Sequence, residues 1–598
     1  MARPVVQLLK YLTAFIFFLN YCTANETREL KIRTLPVYAM LANAELLNST
    51  KCRKELIQFR EANDQQLLWS LKVIDASGEP KAGFIYGNNY WLGSKSQCED
   101  AGNRNPFLLS EEILRNNSRF RHIEDEFPPF EVKFFVAYFQ HNSTLQYHIV
   151  VPEENLIILG MCLPASCSKD QVSILLERVE KRTFFKGELY SADFSLVEVK
   201  DLMDDHRWLL SGTFITMMVI IVLTFLLVII GTAYDVLIYQ KRLKKNDNCL
   251  QDRENVNSLA IEELQTLNDN NKGQLEKSKY HSFFYKIFLA FSAYSNTKII
   301  FSMKSEDAGI PIIHGLRFFS MIWLIWLHTV YFSMDISDNR SFLLKKVDDL
   351  FFYVIYSGTL AVDTFFCFGG FLVSYLYLKK VMGKDIRASH NLLNVTKLYF
   401  LALMKRFISM DKHFNVFEPL YFRPWIRIGP YLVGVIAAYI LLKLNNKLLW
   451  KKKTIILFWI LGSVCNLSVL FGLYQNRLSV LAAAFYVALG RNVWAIGIAW
   501  ILIACCTNNG GIVNRILSWK VLIPFSRLTY AAFLIHPLII SSVNFFSETS
   551  IHFDSLTIVI LGLGYVVASY ICSYVISLMF EMPYLLDERR DEILKQIT

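Results

Sequence analysis

Apolar stretches long enough to cross a membrane recur along most of this chain, but not through its first third. Residues 25–207 mix polar and apolar positions with no long apolar run and read as a soluble domain. Residues 209–231, LLSGTFITMMVIIVLTFLLVIIG, are uncharged and long enough to span. QKRLKK (240–245) follows at once, a stop-transfer pattern that puts the next loop in the cytosol. Residues 246–280 are polar and Asn-rich and read as a flexible cytosolic linker. The aromatic, weakly amphipathic segment 280–301 reads as an interfacial helix. Further spans are predicted at 311–334, 351–378, 428–444, 454–473, 481–505, 528–546 and 556–580. Residues 1–24, with Arg3, Lys10, the run LTAFIFFL and Ala24, read as a cleaved secretory signal, the alternative being a signal anchor. Either way residues 25–207 enter the lumen or the outside.

The fold expected is a multi-pass α-helical membrane protein with about eight visible spans and a small disulfide-bonded N-terminal extracytoplasmic domain. Its parts are a signal peptide (1–24), a lumenal or extracellular domain (25–207) and a first transmembrane helix (208–232). A cytosolic linker and interfacial helix (233–308), a membrane domain (309–582) and a cytosolic tail (583–598) follow.

Composition agrees. Of 598 residues 53% are hydrophobic, and mean hydropathy is +0.31, too apolar for an ordinary soluble protein. The net charge of +10 is expected in cytosolic loops, where it reports orientation rather than nucleic-acid binding. Cys52, Cys98, Cys162 and Cys167 are an even set in an exported domain and suggest two disulfides, with three possible connectivities, or else buried free thiols. Asn25, Asn48, Asn116, Asn142 and Asn339 each open a glycosylation sequon. The chain shows no metal-ligand spacing, nucleophile elbow, Walker loop or dinucleotide fingerprint, so no bound cofactor or metal is expected.

Candidate chemistry lies inside the spans. Arg317 and His328 are eleven positions apart, which on a helix leaves them within roughly 20° of one face and about 16 Å apart. Ionisable groups in a span are costly and usually face a protein interior or a wet cavity. The bland alternatives are a packed histidine and an arginine that snorkels to the interface. Arg491 stands mid-span, as a substrate contact or a structural arginine; His536, before Pro537, lines a cavity or caps a kink. Asp363 either pairs with an arginine or terminates a helix. The Trp and Phe stripes read as lipid-facing or core, and Cys505–Cys506 as packing or lipidation positions.

GLRFFSMIWLIWLH, with Arg317, ten residues, then His328, resembles the first helix of the membrane-bound acyltransferase family 3. WSLKVIDASGEPKAG (69–83), GNNYWLGSKSQC (87–98) and MCLPASCS (161–168) resemble the N-terminal domain of the nose-resistant-to-fluoxetine family, where that domain precedes an acyltransferase 3 domain. Asp363, Gly369–Gly370, Arg491, Trp494, Trp500, Cys505, Trp519, Pro524, Ser526, Arg527, Tyr530 and His536–Pro537 also match. His314 departs, since relatives commonly have an aspartate there, and this puts the hydrogen bonding around Arg317 in doubt.

The resemblance implies transfer of an acyl group, not an amino-acyl group, from a cytosolic donor, acyl-CoA, to a hydroxyl or amine at the membrane or lumenal side. His328 would be the base, Arg317 would hold the donor, and Arg491 and His536 would contact substrate. The N-terminal domain would serve recognition or cap the membrane site. Partners would be membrane lipid, donor and acceptor, in the endoplasmic reticulum or plasma membrane. The alternatives are a non-catalytic protein that transports or handles lipids or small molecules, and an inactive shortened isoform.

After LMKRFISM (403–410) the chain jumps to YFRPWIRIGPYLVG (421–434), motifs that a long stretch separates in relatives. Counting spans puts 384–427 in the cytosol and makes 428–444 run outward. The lysine-rich loop NNKLLWKKK (445–453) would then be lumenal, against the positive-inside rule. An odd number of crossings between 410 and 421 would remove the conflict, but KLYFLALMKRF (397–407) is too short and too charged to supply one. An internally shortened chain is therefore expected, the alternative being a re-entrant segment.

Overall fold

A computed structural model describes residues 35–105, 110–118, 125–146, 155–178, 192–202, 206–241, 288–303, 310–346, 349–381, 427–474 and 479–584. The signal segment, Asn25, residues 246–280, most of the tail and the junction near 410–421 lie outside these residues. The chain divides into two compact units. The first is 1–205 with 333–345 and 542–557; the second is 206–332, 346–541 and 558–598.

The first unit is built on helices α1 (Lys51–Asp64), α2 (Leu68–Asp75), α3 (Lys95–Ala101) and α4 (Lys169–Arg178) and a four-stranded sheet. Its strands are β1 (Tyr90–Trp91), β2 (Val132–His141), β3 (Leu156–Pro164) and β4 (Phe194–Asp201), in the order β1-β3-β2-β4. β1 lies parallel to β3, and β2 is antiparallel to both β3 and β4. The two central strands carry nearly continuous apolar runs, FFVAYF and LIILGMCL, because both their faces are covered. Thr50 caps α1 and Ser94 caps α3 through side-chain oxygens that take the Arg53 and Gln97 amides.

Of the three disulfide connectivities left open by the sequence, the structure has Cys52–Cys167 and Cys98–Cys162. They tie α1 and α3 to the end of β3. Closing loops of 115 and 64 residues stabilises the folded unit by about 5 and about 4 kcal/mol in the chain-entropy account.

Two connections from the helical part of the chain belong to this unit. Asn339 is 8% exposed; its side chain donates to the Phe553 carbonyl and accepts the Phe553 amide, both at 2.9 Å. Its sequon was read as a glycan site. In the folded protein that amide nitrogen is buried and hydrogen-bonded to the Phe553 carbonyl. Asn48, Asn116 and Asn142 are exposed. Glu548 accepts from Ser94 Oγ (2.6 Å), Ser96 N (2.8 Å) and Ser96 Oγ (2.8 Å), and the Tyr90 hydroxyl donates to the Ser547 carbonyl at 2.6 Å. Burial, helped by the Glu548 charge and Tyr138, pushes the Tyr90 hydroxyl up to about 12.

The second unit contains α5 (Gly212–Tyr234), α6 (Ala293–Phe301), α7 (Ile312–Ser333), α8 (Thr359–Val381), α9 (Ile428–Lys443), α10 (Lys452–Phe471), α11 (Val480–Cys506), α12 (Leu522–Phe546) and α13 (Ser555–Ile576). Seven helices among the described residues are long and apolar enough to span, and α9 is a shorter apolar helix beside them. The chain is an integral membrane protein, and the eight spans read from the sequence match these helices one for one.

The predicted span 351–378 is broken. A short helix, Leu350–Tyr356, precedes α8. The break falls where the Val354 carbonyl leaves the helical ladder to accept the Trp323 indole N–H at 2.7 Å. At the other end of the unit, buried Asp235 accepts from Ser292 Oγ and Ser295 Oγ, each at 2.5 Å, and ties α5 to α6. The Arg527 guanidinium donates to the carbonyls of Ile299, Ile300 and Ser302. It adds side-chain donors at the helix end, where the Ile299 carbonyl also accepts the Ser302 amide.

Helix directions follow from paired contacts. α7 and α12 are parallel, since His314 meets Ser526 and His328 meets His536. α8 is antiparallel to α7, with Arg317 over Phe368 and Leu327 against Gly358. α10 is antiparallel to α11, and α13 to α7.

α8 and α9 are parallel. Asp363 pairs with Arg427 near their starts, and the Asn446 side chain, just past α9, donates at 3.2 Å to the hydroxyl of Tyr375 in the last third of α8. Gly370 and Gly434 let the backbones touch between these points: a Cβ on Gly434 would stand 1.9 Å from the Cys367 carbonyl oxygen, and one on Gly370 2.2 Å from that of Tyr431. Of the two sides of the conflict between the span count and the lysine-rich loop, the parallel packing agrees with the loop. α9 starts beside the start of α8, and the loop 445–453 leaves α9 at the end where α8 finishes. The lysines then agree with the positive-inside rule.

Candidate functional site

α7 places Arg317 near its start and His328 near its end, on one face, as the eleven-residue spacing predicts. α12 runs alongside in the same direction and brings His536 to His328. His328 Nδ1 lies 2.7 Å from His536 Nε2. The ring planes are 6° apart and the centroids 4.9 Å. Two stacked faces would not bring those nitrogens so close, so the rings meet edge to edge in nearly one plane, along a lone-pair direction. His536 is 1% exposed, and its Nδ1 lies 3.0 Å from the Ala532 carbonyl. His328 is only partly buried, with the Phe332 ring edge-on at 5.3 Å.

A line of aromatic side chains joins this pair to Arg317. Phe533 lies 6.0 Å from His536, Phe365 6.5 Å from Phe533, and Phe368 5.2 Å from Phe365. The Arg317 guanidinium stands over Phe368 at 5.8 Å. Arg317 also acts electrostatically on Glu581. The site thus has a histidine pair at one end, an arginine at the other and an apolar wall between them. From the residues alone those phenylalanines read only as lipid-facing or core positions, because a Phe stripe at helical spacing looks the same in all three roles.

The other sequence candidates go elsewhere. Arg491, on α11, acts on Asp363, which forms a buried pair with Arg427 at 2.5 Å; Asp363 is 2% exposed and Arg427 6%. The Trp494 indole donates to Thr364 Oγ1 at 2.9 Å beside them. Of the two readings of Asp363, the arginine partner is what the structure has. Arg427 itself was missed; the signal was a charged residue at the threshold of an apolar span, within RPWIRIGP. His314 is buried and bonds Ser526 Oγ at 3.0 Å through Nδ1, so its departure from an acidic residue is absorbed by α12. Cys505 is packed in the core between α8, α9 and α11.

Residues 52–176 match the family model described as the N-terminal domain of nose resistant-to-fluoxetine protein. The chain is also similar to Nose resistant to fluoxetine protein 6 of Caenorhabditis elegans, at 22% identity over 684 residues, covering 86% of this chain and 77% of that protein. That span exceeds the 598 residues of the chain, so the alignment passes through segments of the relative that have no counterpart here. No solved structure matches.

Proposed function

We propose that this chain, which carries a nose-resistant-to-fluoxetine N-terminal domain, is a membrane acyltransferase that moves an acyl group from acyl-CoA to a hydroxyl or amine acceptor. The observation that carries the reading is the 2.7 Å contact of His328 with His536 at one end of the aromatic wall that leads to Arg317. A base held by a second group is what activation of an acceptor requires. The proton leaves the acceptor for His328 as its oxygen or nitrogen attacks the thioester carbonyl. The carbon–sulfur bond breaks, and the proton passes on to the departing thiolate. Arg317 stays charged and forks onto phosphate oxygens, so it suits the donor's polar end. The phenylalanines suit its acyl and thioester portion.

The sides follow from charge. α8 ends in Lys379 and Lys380, and the loop 445–453 leaves α9 at that same end; such an excess marks the cytosolic side. Arg317 lies toward this end and His328 toward the other, so the donor approaches from the cytosol and the acceptor from the lumenal side. The N-terminal domain is then lumenal or extracellular, in the endoplasmic reticulum or at the plasma membrane, behind a cleaved signal and with glycans on its exposed sequons.

The aromatic wall also suits a protein that binds and passes on a lipid without chemistry. His328→Ala separates the readings. In purified membranes the substitution should lower acyl-CoA hydrolysis or transfer by about 10²- to 10⁴-fold, the usual worth of a positioned base, with the same amount of protein in the membrane. Full residual activity removes the acyltransferase reading. Lipid binding unchanged by the substitution, with no turnover in either protein, favours lipid handling.

A further inference from the structure

We propose that His536 and Pro537 act as a clamp that fixes the tautomer of His328 and makes its Nε2 the basic nitrogen. The inference rests on the reading of His328 as the base and supplies the part that reading lacks, namely which nitrogen accepts the proton and what holds it ready.

The clamp begins in the backbone of α12. Position 537 is a proline inside the helix. Proline has no N–H, so the Phe533 carbonyl, four residues earlier, loses its helical donor. His536 is the residue whose side chain reaches back over that turn. Its Nδ1 lies 3.0 Å from the Ala532 carbonyl, and the Ala532 and Phe533 carbonyls both act on the ring. A carbonyl only accepts, so Nδ1 of His536 carries the hydrogen. The Nε2 of the same neutral ring then presents a lone pair.

That lone pair faces His328 Nδ1 at 2.7 Å, in the plane of both rings. Nδ1 of His328 is therefore the donor, and its Nε2 is left with a lone pair on a ring that is only partly buried. The order is fixed from the backbone outward: carbonyl, His536 Nδ1–H, His536 Nε2, His328 Nδ1–H, His328 Nε2. A histidine base is usually oriented by a carbonyl or carboxylate on its other nitrogen. Here a buried second histidine stands in that place, held by the Ala532 carbonyl, next to the Phe533 carbonyl that the proline leaves without a helical donor. His536 is a positioning residue in this scheme, since it reaches the acceptor only through His328.

The test reads the tautomer directly and needs no turnover. Full-length protein labelled with ¹⁵N-histidine is placed in lipid nanodiscs, and His328→Gln assigns the His328 signals. In the native chain at neutral pH, His328 should show a protonated Nδ1 and an unprotonated Nε2. His536→Leu removes the acceptor, and His328 should move toward the Nε2–H form that free neutral histidine favours. His536→Gln keeps an oxygen acceptor and should restore the native tautomer together with most of the turnover. Pro537→Ala returns a helical donor to Phe533 and should shift the His328 signals part of the way.

A protonated Nε2 in the native chain overturns the clamp. So does an unchanged His328 spectrum in His536→Leu protein that still elutes as a single folded species. If His536→Leu fails to fold, Pro537→Ala decides in the same way. An intact native tautomer in a chain with no His328-dependent turnover removes the acyl-transfer reading and leaves the clamp standing.

Discussion

Arg427 Nη1 and Asp363 Oδ1 lie 2.5 Å apart near the starts of two parallel helices, with both side chains buried. Removing one partner leaves an uncompensated charge in an apolar interior, which costs about 3–5 kcal/mol, whereas replacing both by apolar side chains of similar size is often close to neutral. Asp363→Asn should therefore lower the melting temperature of the detergent-solubilised protein, measured by fluorescence-detected gel filtration. Asp363→Leu with Arg427→Met should recover most of the loss. A single substitution with no effect would mean that the pair does not hold α8 to α9.

The same parallel arrangement fixes a topology. A glycosylation tag placed in 445–453 should stay unmodified, as should a tag after residue 584. A tag at the start of α9, near Arg427, should face the glycosylating side when set on a sufficient linker. Modification of the 445–453 tag would show α9 running against α8.

Glu548 supplies a pH dependence outside the membrane. Burial alone would raise its carboxyl. Hydrogen bonds from Ser94 Oγ, Ser96 Oγ and Ser96 N, with the nearby Lys95 charge, outweigh that and hold it below its ordinary value. A carboxylate depressed in the folded state adds stability above its unfolded value, about 4.3, and that contribution is lost as pH falls through the folded value. Melting of native and Glu548→Gln protein should differ at pH 7 and about equally at pH 5. The difference should shrink on further acidification. A difference that grows at low pH would reverse the sign.

Asn339→Gln should leave the glycan content of the protein unchanged, read as gel mobility before and after endoglycosidase. It should also destabilise the first unit by about 1–3 kcal/mol, because both backbone groups of Phe553 lose their partner in a buried place. A mobility shift on Asn339→Gln would restore the sequon as a modified site.

Much of the architecture is legible in the residues because a membrane imposes a length and an apolar composition on any helix that crosses it. The spans at 209–231, 454–473 and 556–580 need no partner to be recognised, and each is matched by a helix in the structure. The face shared by Arg317 and His328 is likewise a property of one helix, fixed by 3.6 residues per turn. The strands of the first unit were not read, since VKFFVAYFQH and LIILGMCLP are apolar on both faces and show no period that separates them from buried helix.

What concerns two elements at once was decided by the tertiary structure. The sequence allowed three disulfide pairings; the fold selected one by bringing the C-terminal end of β3 to both α1 and α3. It gave Asp363 without its arginine and His536 without the ring that it meets. It left the direction of α9 in conflict between the span count and the positive-inside rule, because counting spans assumes that every crossing is visible as an apolar run. Direction was settled by contacts at two levels of the α8–α9 pair, Asp363 with Arg427 and Tyr375 with Asn446. Length and periodicity are local quantities and can be read along one strand of text; partners and directions depend on which surfaces bury one another, and that is settled only when the helices pack.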